Sequence, residues 1–163
     1  MSTAVFLKKE HIYLQEALSS QQEVFERLAQ LAYELGLAKS KHALIDGLAK
    51  REAESTTGFI DGFAIPHTKL EDITEAAVLI IKNETGIEWN SLDQTPVTFI
   101  IALLIPDAEA NSTHLQLLSS LSRMLVHEDV RQQLLEAESC EDIERIISND
   151  LASFYYERRE SKC

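Results

Sequence analysis

The chain has 163 residues, 45% of them hydrophobic and 26% charged, the composition of an ordinary globular protein with enough length for one domain and a proper core. Fifteen Lys and Arg against 27 Asp and Glu leave a formal balance of −12. Such a surface repels nucleic acid and anionic lipid and favours partners with a basic docking face, so a phosphate site here has to be a local positive spot.

The opening residues Met1 to Glu10 already contain Lys8, Lys9 and Glu10, so no secretory leader is expected. Ser20 with Glu23 forms a capping box, and Val24, Leu28, Leu31, Ala32 and Leu35 recur at helical spacing before Gly36, predicting a helix from Gln21 to Leu35. Ser40 caps a second predicted helix reaching Glu54, with Leu44, Ile45 and Leu48 inward. Gly58 and Gly62 bracket a turn. Phe63-Ala64-Ile65 reads as a short apolar strand stopped by Pro66. Ala76 to Ile81 has the length and apolarity of a strand. Asn83 to Gly86 has turn chemistry, Ile87 to Trp89 reads as a short strand, and Ser91 to Gln94 as another turn.

Val97 to Ile105, ended by Pro106, is the strongest strand signal and falls well short of the about 20 residues of a membrane span. The protein is therefore expected to be soluble and cytoplasmic. Thr113 and Gln116 form a second capping box before a helix with Leu117, Leu118, Leu121, Met124 and Leu125 as its apolar stripe. A short helix follows from Asp129 to Glu136, and Ser139 caps a last one carrying Ile143, Ile146 and Ile147. Two runs that are apolar on both faces need cover on both sides. The expected fold is α/β, a mixed sheet flanked by helices on both faces. Residues 1–150 form one domain and 151–163 an aromatic, then charged, tail expected to fray.

Chemistry-bearing patterns are few. Gly58 to Gly62 lacks nucleotide-loop spacing, the histidines at 11, 42, 67, 114 and 127 lack metal-ligand spacing, and Cys140 and Cys163 form no CxxC pair. His67 stands out because Pro66 ends the strand before it and presents it at the strand's carboxyl end, where α/β sheets bind ligands. The alternative is a loop histidine that only hydrogen-bonds to backbone. His114 opens a capped helix whose dipole disfavours imidazolium and whose free amides can cradle phosphate; the alternative is an exposed first-turn histidine. Arg51 precedes Ser55-Thr56-Thr57-Gly58, and a guanidinium with hydroxyls from Ser55 and Thr57 suits phosphate oxygens. A dipole-favoured helix-end arginine beside a solvated turn is the plainer explanation.

Arg51-Glu52, then Ser55-Thr56-Thr57-Gly58, then Asp61-Gly62-Phe63-Ala64-Ile65-Pro66-His67 resemble the signature of type-2 A components (EIIA) of the phosphotransferase system, in its fructose, mannitol and nitrogen-regulatory branches. Gly86 to Asp93, Pro96-Val97, Leu103 to Pro106 and His114 to Leu118 agree, so the likeness spans roughly residues 20–150. The resemblance implies that His67 is the phosphorylated histidine, His114 a second active-site histidine, and Arg51 the arginine beside the phosphoryl group. It also implies HPr as phosphoryl donor, a cysteine of a separate EIIB component as acceptor, and a membrane reached only through EIIC. Thr68 follows the active histidine where the family often has Gly, Ala or Cys, and its hydroxyl is a further candidate phosphate ligand. No metal and no cofactor is expected. The alternative within the family is a nitrogen-branch protein whose phosphorylation alters partner binding instead of feeding sugar uptake.

Overall fold

The computed structural model describes residues 6–109 and 115–149. Helix α1, Gln21–Glu34, begins where Ser20 accepts a hydrogen bond from the Glu23 amide at 3.1 Å and the Glu23 carboxylate accepts one from the Ser19 amide at 2.8 Å. It ends in a Schellman motif: Gly36 takes φ 76°, its amide reaches Tyr33 O, and the Leu37 amide reaches Ala32 O. Helix α2, Lys41–Glu54, is capped by Ser40, whose hydroxyl accepts from the Ala43 amide. Caps of this kind contribute about 1 kcal/mol each.

Five strands make one sheet: β1, Ile12–Glu16; β2, Phe63–Ala64; β3, His67–Leu70; β4, Ala77–Ile87; and β5, Val97–Pro106. The order is β1-β4-β5-β2, with β3 also paired to β5 along the same side as β2. β4 and β5 run antiparallel and every other pair is parallel, so the sheet is mixed as expected. Helices α3, Leu115–Val126, and α4, Glu128–Glu136, follow, then a fifth helix, α5, over 140–149 that begins where Ser139 accepts from the Asp142 amide.

Side chains alternate across a strand, so each central strand feeds two cores. Val78, Ile80, Ile101 and Leu103 pack with Leu117, Leu121 and Met124 of α3, Leu134 of α4, and Ile143 and Ile147 of α5. Leu79, Ile81, Ile100 and Leu104 pack with Val24, Phe25 and Leu28 of α1 and Leu44 and Leu48 of α2. The result is a three-layer sandwich with helices on both faces. Among the described residues no helix is long and apolar enough to cross a membrane.

Three expectations change. β1 is an additional strand. Asn83 to Gly86 does not form a separating turn: β4 continues through it with a register shift between Lys82 and Ile87. Asn83 makes this possible, because its buried amide group bonds both the amide and carbonyl of Leu18 and also Thr85 O, satisfying groups the irregular ladder leaves open. Trp89 accordingly lies beyond the strand, buried edge-on against Phe25. Finally, Pro66 does not end the pairing along β5. It cannot donate, yet its carbonyl accepts from the Leu103 amide at 2.9 Å, so the strand resumes at once and His67 opens β3 instead of closing a strand. The Thr113 cap and the 151–163 tail lie outside the described residues.

Candidate functional site

His67 sits at the β2–β3 break and is only 6% exposed. Its Nδ1 lies 2.8 Å from Ile65 O, a carbonyl that can only accept, so Nδ1 carries the proton. Its Nε2 lies 3.0 Å from Arg51 Nε, an N–H that can only donate, so Nε2 presents its lone pair. The two neighbours together select one neutral tautomer with the lone-pair nitrogen turned toward a guanidinium.

Arg51 comes from the last turn of α2. A second nitrogen, Nη1, donates to Ser55 O at 2.9 Å and approaches Ser55 Oγ at 3.5 Å. The guanidinium is thus held from both ends between the turn and the histidine. α2 approaches β3 closely because Gly47 faces Thr68 and Leu70: a Cβ there would stand 2.9 Å from Thr68 Oγ1. Thr68 itself is buried beside His67.

Beside this pair lies an open hollow of about 420 Å³. Lys50, Arg51 and Lys69 line it with His67 and Thr68, against one carboxylate among the described residues, Glu54. This is a positive spot on an acidic chain. Sequence reasoning did not single out Lys50 or Lys69, although Lys69 shares His67's strand parity and Lys50 adjoins Arg51.

The structure therefore brings together Arg51, Ser55, His67 and Thr68. It engages Thr57 differently: the Thr57 hydroxyl donates to Glu52 Oε1 at 2.6 Å and accepts from Trp89 Nε1 at 3.2 Å. His114 lies outside the described residues, which resume at Leu115, the first residue of α3. Of the apolar residues near the 58–62 turn, Phe63 is fully buried against Phe99, while Phe59 and Ile60 stay partly exposed. Among the described residues no group of three or more His, Cys, Asp or Glu side chains converges as metal ligands would.

Comparison with known proteins gives a consistent result. The family model described as phosphoenolpyruvate-dependent sugar phosphotransferase system, EIIA 2, matches residues 5–150. A fructose-specific EIIA component from Haloferax volcanii is 37% identical over 139 residues, 85% of this chain and 90% of that protein. A nitrogen regulatory protein from Klebsiella oxytoca is 35% identical over 131 residues, 79% of each chain. The crystal structure of nitrogen regulatory protein IIA-Ntr from Neisseria meningitidis aligns with a TM-score of 0.81 at 28% identity, covering 88% of this chain and 97% of that one.

Proposed function

The chain belongs to the EIIA 2 family of the phosphoenolpyruvate-dependent sugar phosphotransferase system, and from that membership we propose that it is a cytoplasmic phosphoryl carrier working through His67. In this reading phospho-HPr donates the group and a cysteine of a separate EIIB component receives it, feeding sugar uptake. The observation that carries the reading is the pair of hydrogen bonds on His67: Nδ1–H to Ile65 O and Nε2 facing Arg51.

The Nε2 lone pair attacks phosphorus as the nitrogen–phosphorus bond of the donor breaks, and the donor's imidazole keeps that bonding pair. The His67 ring then carries positive charge, which Nδ1–H shares with the Ile65 carbonyl. No proton has to leave His67 in either direction. Once Nε2 is phosphorylated it can no longer accept from Arg51, so the guanidinium turns its N–H groups to the phosphoryl oxygens. Those oxygens bear the charge of a loose transition state, and a planar fork of donors suits them. Thr68 lines the same hollow and Ser55 Oγ stands 3.5 Å from Arg51 Nη1, so both hydroxyls are proposed as further ligands, and His114 is assigned as the second histidine of the site. For the onward step the thiolate of EIIB attacks phosphorus and the nitrogen–phosphorus bond returns its pair to Nε2.

The test is to incubate the protein with phosphoenolpyruvate, enzyme I and HPr and measure intact mass at neutral pH. One acid-labile phosphoryl group is expected in the wild type and none in His67→Ala. Labelling that persists in His67→Ala would show the site to be elsewhere. A second reading has support in the likeness to nitrogen regulatory proteins: a regulator whose phosphorylation state controls partner binding. Rapid transfer from the labelled protein to an EIIB cysteine favours transport, and its absence favours regulation.

A further inference from the structure

Glu52 neighbours Arg51 but points its carboxylate at Thr57, not at the hollow. Both oxygens are used: Oε2 accepts from the Thr57 amide at 2.8 Å and Oε1 from the Thr57 hydroxyl at 2.6 Å. With its only proton given to Glu52, the Thr57 hydroxyl accepts from the Trp89 indole N–H at 3.2 Å. Thr57 is buried, and its carbonyl accepts from the Ile65 amide at 3.0 Å. The carbonyl of that same Ile65 holds His67 Nδ1–H. Two residues before Thr57, Ser55 O holds Arg51 Nη1. The short segment 55–57 therefore supports both reacting partners, Arg51 through one carbonyl and His67 through another by way of Ile65.

We propose that Glu52 and Thr57 act as a positioning clamp that fixes the 55–57 segment, and with it both the Arg51 guanidinium and the Nδ1–H tautomer of His67. The pair touches neither the phosphoryl group nor its carriers. The assignment rests on His67 being the phosphoryl acceptor, but its structural half is measurable without phosphorylation. A carboxylate is needed at Glu52 because it must accept two bonds from one residue, a geometry that hydrogen bonds to charged acceptors make short and specific. Glutamine keeps the shape but turns one acceptor into a donor, which then competes with Trp89 for the Thr57 oxygen. Valine keeps the volume of Thr57 and removes the hydroxyl altogether.

The experiment compares Glu52→Gln, Thr57→Val and Thr57→Ser with the wild type in two measurements. One is the maximal rate and half-saturating HPr concentration for His67 phosphorylation; the other is the His67 ring tautomer from long-range proton–nitrogen NMR of the unphosphorylated protein. Misplacement of about 1 Å can cost up to 10²-fold in rate, so a loss of about tenfold or more in maximal rate is expected for Glu52→Gln and Thr57→Val. Their half-saturating HPr concentration should stay near wild type, and their His67 should lose its uniform Nδ1–H signal. Thr57→Ser, which keeps the hydroxyl, should restore both. Near-normal rates in either disrupted variant, a slow Thr57→Ser, or slow transfer with an unchanged tautomer would each overturn the clamp. If Thr57→Val does not fold, the near-isosteric Glu52→Gln carries the comparison. If the wild type is never phosphorylated, the carrier reading fails by itself, while the tautomer comparison still decides whether the clamp exists.

Discussion

At the scale of single residues, the same side-chain type is put to opposite uses by its surroundings. His67 is buried at a strand break yet turns Nε2 toward a guanidinium, so its burial ends at a hollow. His11 is equally buried but turns Nδ1 to Val78 O at 3.1 Å, deep against β4. Burial is the largest influence on His11 and pulls its pKa below 6.5; Lys8 pulls the same way, while the carbonyls of Val78 and Phe6 oppose it. The unfolded chain therefore binds a proton near pH 6.5 that the folded chain refuses until lower pH. Stability from this group is complete above that value and is lost as pH falls toward the folded pKa. The lowered carboxyls, Asp93 and Asp142, titrate below 3.8 and stay out of this window. Between about pH 7 and about pH 5 the melting temperature of the wild type should fall more steeply than that of His11→Gln, whose amide can still donate to Val78 O. Parallel slopes in the two thermal series would remove His11 as the cause.

At the scale of elements, caps and stripes were readable because they are local. Ser20, Glu23, Gly36 and Ser40 each act on amides or carbonyls within a few residues, and the helices begin and end where those residues place them. Arg51 and His67 were readable as a pair through the resemblance, although 16 positions separate them and only the α2–β3 approach makes them neighbours. What sequence could not convey were the non-local satisfactions. Ile12–Glu16 becomes a strand only because β4 offers a parallel edge, and Asn83 extends β4 only because Leu18 supplies its partners. Pro66 read as a stop because it lacks an amide, whereas its carbonyl sufficed for β5. The loop contacts behind the site are similarly non-local. Gly58 follows Thr57, and a Cβ there would stand 2.9 Å from Ser91 Cα, 2.8 Å from Ser91 Oγ and 2.9 Å from Trp89 Cδ1. A backbone atom cannot swing aside as a side chain can. Gly58→Ala should therefore destabilise by about 1–3 kcal/mol, as overpacking does. The denaturation midpoint checks this, and a midpoint equal to wild type would mean that the 89–91 segment yields at no cost.

At the scale of the whole molecule, the charge of −12 and the chemistry proposed for His67 pull against each other. A phosphoryl group on an approaching carrier is itself anionic, and the mean field of the surface repels it. The hollow answers this locally, since among the described residues Lys50, Arg51 and Lys69 line it against the carboxylate of Glu54. Arg51 is tied to His67 and to the 55–57 turn, so the proposal assigns it to the chemistry; Lys50 and Lys69 line the hollow and are proposed as steering charges. Steering acts on encounter and not on the bond-making step, which separates the two roles kinetically. Replacing both lysines by glutamine should lower the second-order rate of His67 phosphorylation by phospho-HPr about three- to tenfold at low salt, while the maximal rate stays near wild type. At about 1 M salt the screening length falls to about 3 Å, and the two proteins should converge. Rapid-quench measurements at both salt concentrations read the difference directly. A defect that persists unchanged at high salt would place the lysines in short-range contact with the phosphoryl group and move them from the approach into the site.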